Sequence, residues 1–161
     1  MRLPGMLVCC VAALAASLAT VPALAQAEHE HMHHASGAAV AQLQLDDGKK
    51  WPTDPSLQSG MAAIQAAFDA DHPAIHAGEE TDAQYAALAG RIEAQVKAIV
   101  ASCKLPPAAD ANLHFVIADL LQGVSLMRGE DPQRTRHDGA ALVHGALLAY
   151  PKYFDDPGWK N

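Results

Sequence analysis

From residue 53 onward, apolar side chains recur at three- and four-residue steps and are interrupted by Pro, Gly and Asp at three places. That spacing keeps one face of a 3.6-residue helix apolar, so the pattern predicts four amphipathic helices. The first opens at Asp54-Pro55, where Asp caps free amides and Pro sits in the first turn at no hydrogen-bond cost. Leu57, Met61, Ile64, Phe68 and Ile75 form its buried face. Pro73 should kink the helix or end it near Asp71, and Gly78 closes it. The second opens at Thr81, carries Tyr85, Leu88, Ile92, Val96, Ile99 and Cys103 on one seam, and stops before Pro106-Pro107, with Arg91, Glu93, Gln95 and Lys97 on its wet side.

The third runs from about Asp110 to Arg128. Its stripe of Leu113, Ile117, Leu120, Val124 and Met127 is widened by Phe115, Val116, Leu121 and Leu126, which predicts the most buried helix of the four. The fourth is expected to open at Asp131-Pro132 and run towards Phe154, with Ala140, Val143, Leu147, Tyr150 and Phe154 facing inward and Pro151 disturbing its last turn. Short connections turn neighbouring helices antiparallel, so the expected fold is all-α, an up-down-up-down four-helix bundle over residues 53–161. No strand-like alternation competes with it.

The apolar pattern at the other end of the chain is different in kind. Residues 1–25 have a single charge at Arg2, an apolar run over 6–20, Pro22, and small residues at Ala23 and Ala25, the layout of a cleavable signal peptide. A cut after Ala27 fits nearly as well. The apolar run is shorter than the ~20 residues that span a bilayer. The expected destination is therefore the periplasm or the exterior. A cut after residue 25 leaves 136 of the 161 residues, about one domain. Cys9 and Cys10 leave with the signal, so Cys103 is the only mature cysteine and no internal disulfide can form. Residues 26–52 are expected to be a histidine-rich flexible tail, poor in large apolar side chains over 26–41, and a bridge ending at Trp51-Pro52.

Charge narrows the partners. The full chain has 11 Lys and Arg against 18 Asp and Glu; with Arg2 removed the balance is 10 against 18, a net charge of -8. Such a surface repels nucleic acid and anionic lipid. No second apolar run suggests stable membrane insertion after cleavage.

Three histidine-bearing groups are the candidate chemistry. The first is the tail run EHEHMHH, with His29, His31, His33 and His34 around Met32. Neutral imidazoles bind zinc, nickel and copper, and a thioether favours reduced copper. The second is His72 and His76, four residues apart at the end of the first helix, with His137 of the fourth helix at about the same height. The third is Met61, Cys103 and His114 at the opposite end, a soft set suited to copper if the side chains converge, and ordinary packing if they do not.

Met61, near the start of the first helix of a small exported bundle, resembles the position of the haem-ligating methionine in cytochrome b562-type proteins. The resemblance implies a four-helix architecture over about the last 110 residues. In that family a histidine late in the last helix is the second ligand; here the late positions are Tyr150, Tyr153 and Phe154, and no C-x-x-C-H occurs, so haem is not expected. The phrases LDDGKKWPTDPSLQSGM and FDDPGW are also similar to those of small exported helical proteins of unassigned function.

An enzyme needs a nucleophile with a base, paired carboxylates, or a metal with an open position. Only Cys103 with His114 approaches this, and a helix C-terminus disfavours a thiolate. The expectation is a metal binder or carrier, for copper or zinc, with no catalytic role. A metal-free interaction or structural module is the alternative, and a haem-binding bundle a more distant one. Histidine titration as a pH sensor is a further use of the same residues.

Overall fold

A computed structural model describes residues 37–160. The expected signal peptide, residues 1–25, and His29, His31, His33 and His34 lie outside these residues. Four helices dominate: α1 (Pro55–Ala77), α2 (Asp82–Ser102), α3 (Pro107–Met127) and α4 (Arg136–Tyr153). The protein is an all-α bundle. Consecutive helices are antiparallel: Gly60 meets Ile99 while Asp71 pairs with Arg91, and Gly123 meets Gly139.

Local chemistry sets most of the boundaries. Asp54 accepts from Leu57 N at 2.7 Å and caps α1. Gly78, at φ 69°, takes the left-handed conformation that ends it. Thr81 and Gln84 form a reciprocal capping box at the start of α2. α3 begins earlier than expected, at Pro107, because a proline in the first turn lacks only an amide that would have gone unpaired there.

Of the two outcomes expected at Pro73, ending the helix near Asp71 does not occur: α1 passes through Pro73 and is closed by Gly78, as expected. Pro73 and Asp69 are both exposed, so the carbonyl that loses its amide partner faces water, and Ile75 beyond it is buried in the core. α4 begins at Arg136, not at Asp131-Pro132. Asp131 instead bonds Gln133 N in a local turn, while Thr135 and Asp138 form the capping box that starts the helix.

The predicted apolar faces are the core. Leu57, Met61, Ile64, Phe68 and Ile75 of α1 are buried against Leu88, Ile92, Leu113, Leu120, Val143 and Tyr150. Leu121 is exposed and Phe115 only half-buried, so the stripe of α3 is narrower on that side than expected. α3 and α4 are in the closest contact. A Cβ on Gly123 would lie 2.7 Å from Gly139 O, and one on Gly139 would lie 2.6 Å from Gly123 O, so the two backbones nearly touch.

The packed chain also begins sooner than a tail reaching residue 41 would allow. A 3-10 turn, Val40–Gln42, lies against α3 and α4 with Val40 and Leu43 buried. Asp119, which is 5% exposed, accepts from Val40 N at 2.9 Å and from Ala39 N at 3.4 Å. A buried carboxylate needs such donors, and the start of the chain supplies them. Next, Asp47 and Gly48 make a tight turn at φ 47° and 83°, with Asp46 and Lys49 exchanging amide bonds at 2.8 Å.

α1 and α4 touch least of all neighbouring pairs. At one end they are joined by a two-residue parallel pair, β1 (Trp51–Pro52) with β2 (Phe154–Asp155), which apolar periodicity did not foreshadow. Thr53 Oγ1 donates to Asp155 O at 2.6 Å beside it. Gln65 Nε2 donates to Lys160 O at 2.6 Å and holds the C-terminal segment over the same end. Between this closure and the far end, the α1–α4 seam is open. Among the described residues no helix is long and apolar enough to cross a membrane.

Candidate functional site

The far end of the α1–α4 seam is where the histidines gather. On α1, Phe68, His72 and His76 follow at four-residue steps and share a face; on α4, His137, Ala140, Ala141 and His144 present the facing surface. The two alanines leave room for the rings. Together these residues and Ile75 line a small half-open cavity of about 40 Å³.

Ring geometry shows how close the imidazoles are. His72 and His144 have centroids 5.2 Å apart, and His72 and His76 are 6.2 Å apart. With metal–nitrogen bonds of about 2.0 Å, two imidazoles on one tetrahedral ion have ring centres about 5 Å apart, and about 6 Å at wider angles. Both separations fall in that range. Among the described residues, however, no three His, Cys, Asp or Glu side chains form a group that could hold a metal ion as they stand. Coordination there requires side-chain rotation within the cluster. His144 is stacked on Phe68 at 5.3 Å and 21°, which fixes one side of its ring.

Electrostatics favour the neutral imidazole at His144. Burial lowers its pKa below the ordinary histidine value, the neighbouring His72 lowers it further, and Asp69 opposes both. A neutral ring keeps a lone pair for a metal at neutral pH.

His144 is the residue of this cluster that the sequence reading does not single out. The signal was its spacing: seven residues after His137, two helical turns on the same face.

Met61, Cys103 and His114 have three different surroundings. Met61 is fully buried in the apolar core with Ile64 and Leu57. Cys103 ends α2 beside Asp54, and burial, the charges of Asp54 and Asp110, and its bond to Asp54 push its thiol up to about 11. A thiol held there is a poor nucleophile and a poor ligand. His114 is exposed, with Nδ1 2.8 Å from Asp110 O, one turn back on its own helix. Trp159 packs on Tyr150 at 4.9 Å in this region, and Tyr150 Oη donates to Asp156 at 3.1 Å. These contacts make a structural corner.

Ion pairs tie the ends of the helices. Arg128 reaches Glu93 at 2.7 Å, and its hydrogen bond, then that of Lys97, lower the Glu93 carboxyl to about 2. Arg136 reaches Asp82 at 3.0 Å and donates to Met127 O at 2.6 Å, which fixes the first turn of α4 and with it the neighbouring His137. Compared with family models, with curated proteins and with solved structures, the chain matches none of them.

Proposed function

We propose that this is an exported metal-binding helical bundle, a binder or carrier of copper or zinc with no catalytic role. The observation that carries the reading is that His72, His76, His137 and His144, from two helices, line one small cavity. An all-imidazole donor set suits zinc and divalent copper. The signal-like residues 1–25 support a periplasmic or secreted location. His29, His31, His33 and His34 would add collecting capacity at the N-terminus of the mature chain. Met61 and Cys103 stand outside the proposed site, one enclosed by the core and the other by its bond to Asp54.

One observation favours the metal-free alternative, an interaction or structural module. The stack of Phe68 on His144 is also what a packing histidine would make.

Calorimetric titration of untagged, metal-free protein separates the two. The chain from residue 26, a version starting at residue 37, and the variant His72→Ala/His144→Ala are titrated with zinc and with divalent copper. The version starting at 37 keeps the packed Val40–Gln42 turn. It should retain one site, and the double variant should lose that site while its fold persists. If neither the full mature chain nor the shortened one binds more tightly than micromolar, the metal reading fails.

A further inference from the structure

The first contacts of the described residues give the start of the chain a direction. Gln44 N donates to Asn112 Oδ1 at 3.0 Å, and Val40 N donates to Asp119 Oδ2 at 2.9 Å. Gly37 lies against the same carboxylate so closely that a Cβ there would overlap it. From residue 44 back to 37 the chain therefore climbs α3 from its first turns to its middle, about 10 Å at 1.5 Å per residue. It heads for the end where α3 stops at Met127 and α4 starts at Arg136. His72, His76 and His137 stand at that end.

Height agrees with direction. Gly123 backs onto Gly139 and Val143, so antiparallel counting puts Asp119, four residues earlier on α3, level with residues 143–147 of α4. His144 is at that level. The Val40–Gln42 turn touches α4 as well as α3, so Gly37 and His144 flank one helix, ~10–12 Å across with its side chains. In sequence His34 precedes Gly37 by three residues and His29 precedes it by eight. At no more than ~3.6 Å per residue, the reach from Gly37 is ~11 Å for His34 and ~29 Å for His29. That is enough to round α4 and to cover the ~10 Å from His144 to His137. The cavity is open to an incoming ion, because His76 and His137 are exposed.

We infer that the histidine-rich run loads the bundle site within one molecule: His29, His31, His33 and His34 capture the metal ion and pass it around α4 to His72, His76, His137 and His144. This inference rests on the metal reading of the cluster. Transfer is ligand exchange. One metal–nitrogen bond breaks in the run as one forms in the cluster, the ion keeps its charge, and neutral imidazoles on both sides leave no proton to move. Preorganisation sets the direction, since two packed helices already hold the cluster imidazoles near one another. A donor tethered this closely acts at an effective concentration of ~mM, so transfer within a molecule outruns exchange between molecules at micromolar protein.

The test uses divalent cobalt as the probe, because its visible bands are intense in tetrahedral imidazole coordination and weak where water dominates. Metal-free, untagged chains starting at residue 26 and at residue 37 are mixed with it at equal micromolar concentration in a stopped-flow spectrometer. Both should end at the same spectrum, with the chain from 26 at least tenfold faster. His29→Ala/His31→Ala/His33→Ala/His34→Ala should load as slowly as the chain from 37, and residues 26–36 added as a separate peptide should not restore the rate. In the chain from 26, His72→Ala/His144→Ala should abolish the bands while circular dichroism shows the fold intact. Rates within twofold for the two chains, an undiminished rate in the quadruple variant, rescue by the free peptide, or bands that survive His72→Ala/His144→Ala would overturn the inference. Equal rates with full bands leave the bundle site standing; absence of bands from the chain starting at 37 overturns that site, and the transfer with it.

Discussion

Removal of the Asp119 carboxylate should detach the start of the packed chain while leaving the four helices in place. Asp119 holds Val40 N at 2.9 Å and Ala39 N at 3.4 Å across eighty positions of sequence. The shorter bond is well formed, and a hydrogen bond to a charged group contributes ~1.5–3 kcal/mol. The longer one adds little. Detachment would also expose Val40 and Leu43, a loss opposed by the backbone entropy that the released segment regains. The net expectation for Asp119→Ala is a loss of about 2 kcal/mol, with Asp119→Asn losing less because one acceptor oxygen remains. Urea unfolding measures the global loss, and amide exchange at Val40 measures the local one. The reasoning is refuted if Val40 exchanges as slowly in Asp119→Ala as in the parent and the unfolding free energy moves by less than about 0.5 kcal/mol.

Two further outcomes follow from the same contacts. Asp54 caps α1 through Leu57 N and accepts from Lys104 N at 2.5 Å, so Asp54→Ala should cost about 2 kcal/mol, ~1 for the cap and ~1 for the second bond; a thermal or urea loss under about 0.5 kcal/mol would count against this. For His144 the sign is set by burial: its folded pKa lies below the ordinary 6.5, so the unfolded chain binds the proton more readily. Its share of stability is present above pH 6.5 and is lost as pH falls from there through the folded value. The urea midpoint should therefore drop more between pH 7.5 and 5.0 in the parent than in His144→Leu, and equal drops would contradict the assignment.

Much of the helical architecture was legible because its signals are local. Asp54-Pro55, Gly78 and Thr81 each satisfy or terminate backbone bonds within a turn, and the structure places the boundaries there. The predicted faces of α1, α2 and α4 are buried almost residue for residue, except that Cys103 is only half-buried. What escaped depends on contacts distant in sequence. Asp131-Pro132 read as the start of α4, whereas the Thr135–Asp138 box, with Arg136 bound to Met127 O, starts the helix at Arg136. Pro73 reads as a kink or a stop, and burial of Ile75 beyond it accompanies a helix that continues. Residues 37–43 read as tail because their partner, Asp119, lies eighty positions away; a lone acid between Ile117 and Leu120 on an apolar stripe was the available hint.

The candidate site was half legible. Helical rise put His72, His76 and His137 at one level, and the structure gathers them around one cavity. His144 completes the set, and its two-turn spacing from His137 was present in the sequence. The soft set of Met61, Cys103 and His114 did not assemble, because a methionine on a core seam is held by packing and His114 bonds to its own helix.

The central claim is that these four imidazoles share a metal ion, and side-chain nitrogen NMR of uniformly ¹⁵N-labelled protein starting at residue 37 tests it most directly. One equivalent of zinc should shift the ring nitrogens of His72, His76, His137 and His144 together and saturate at that ratio, while His114 stays unchanged. A shift at His114 equal to the others, or no shift at His72 and His144 at one equivalent, would contradict the account.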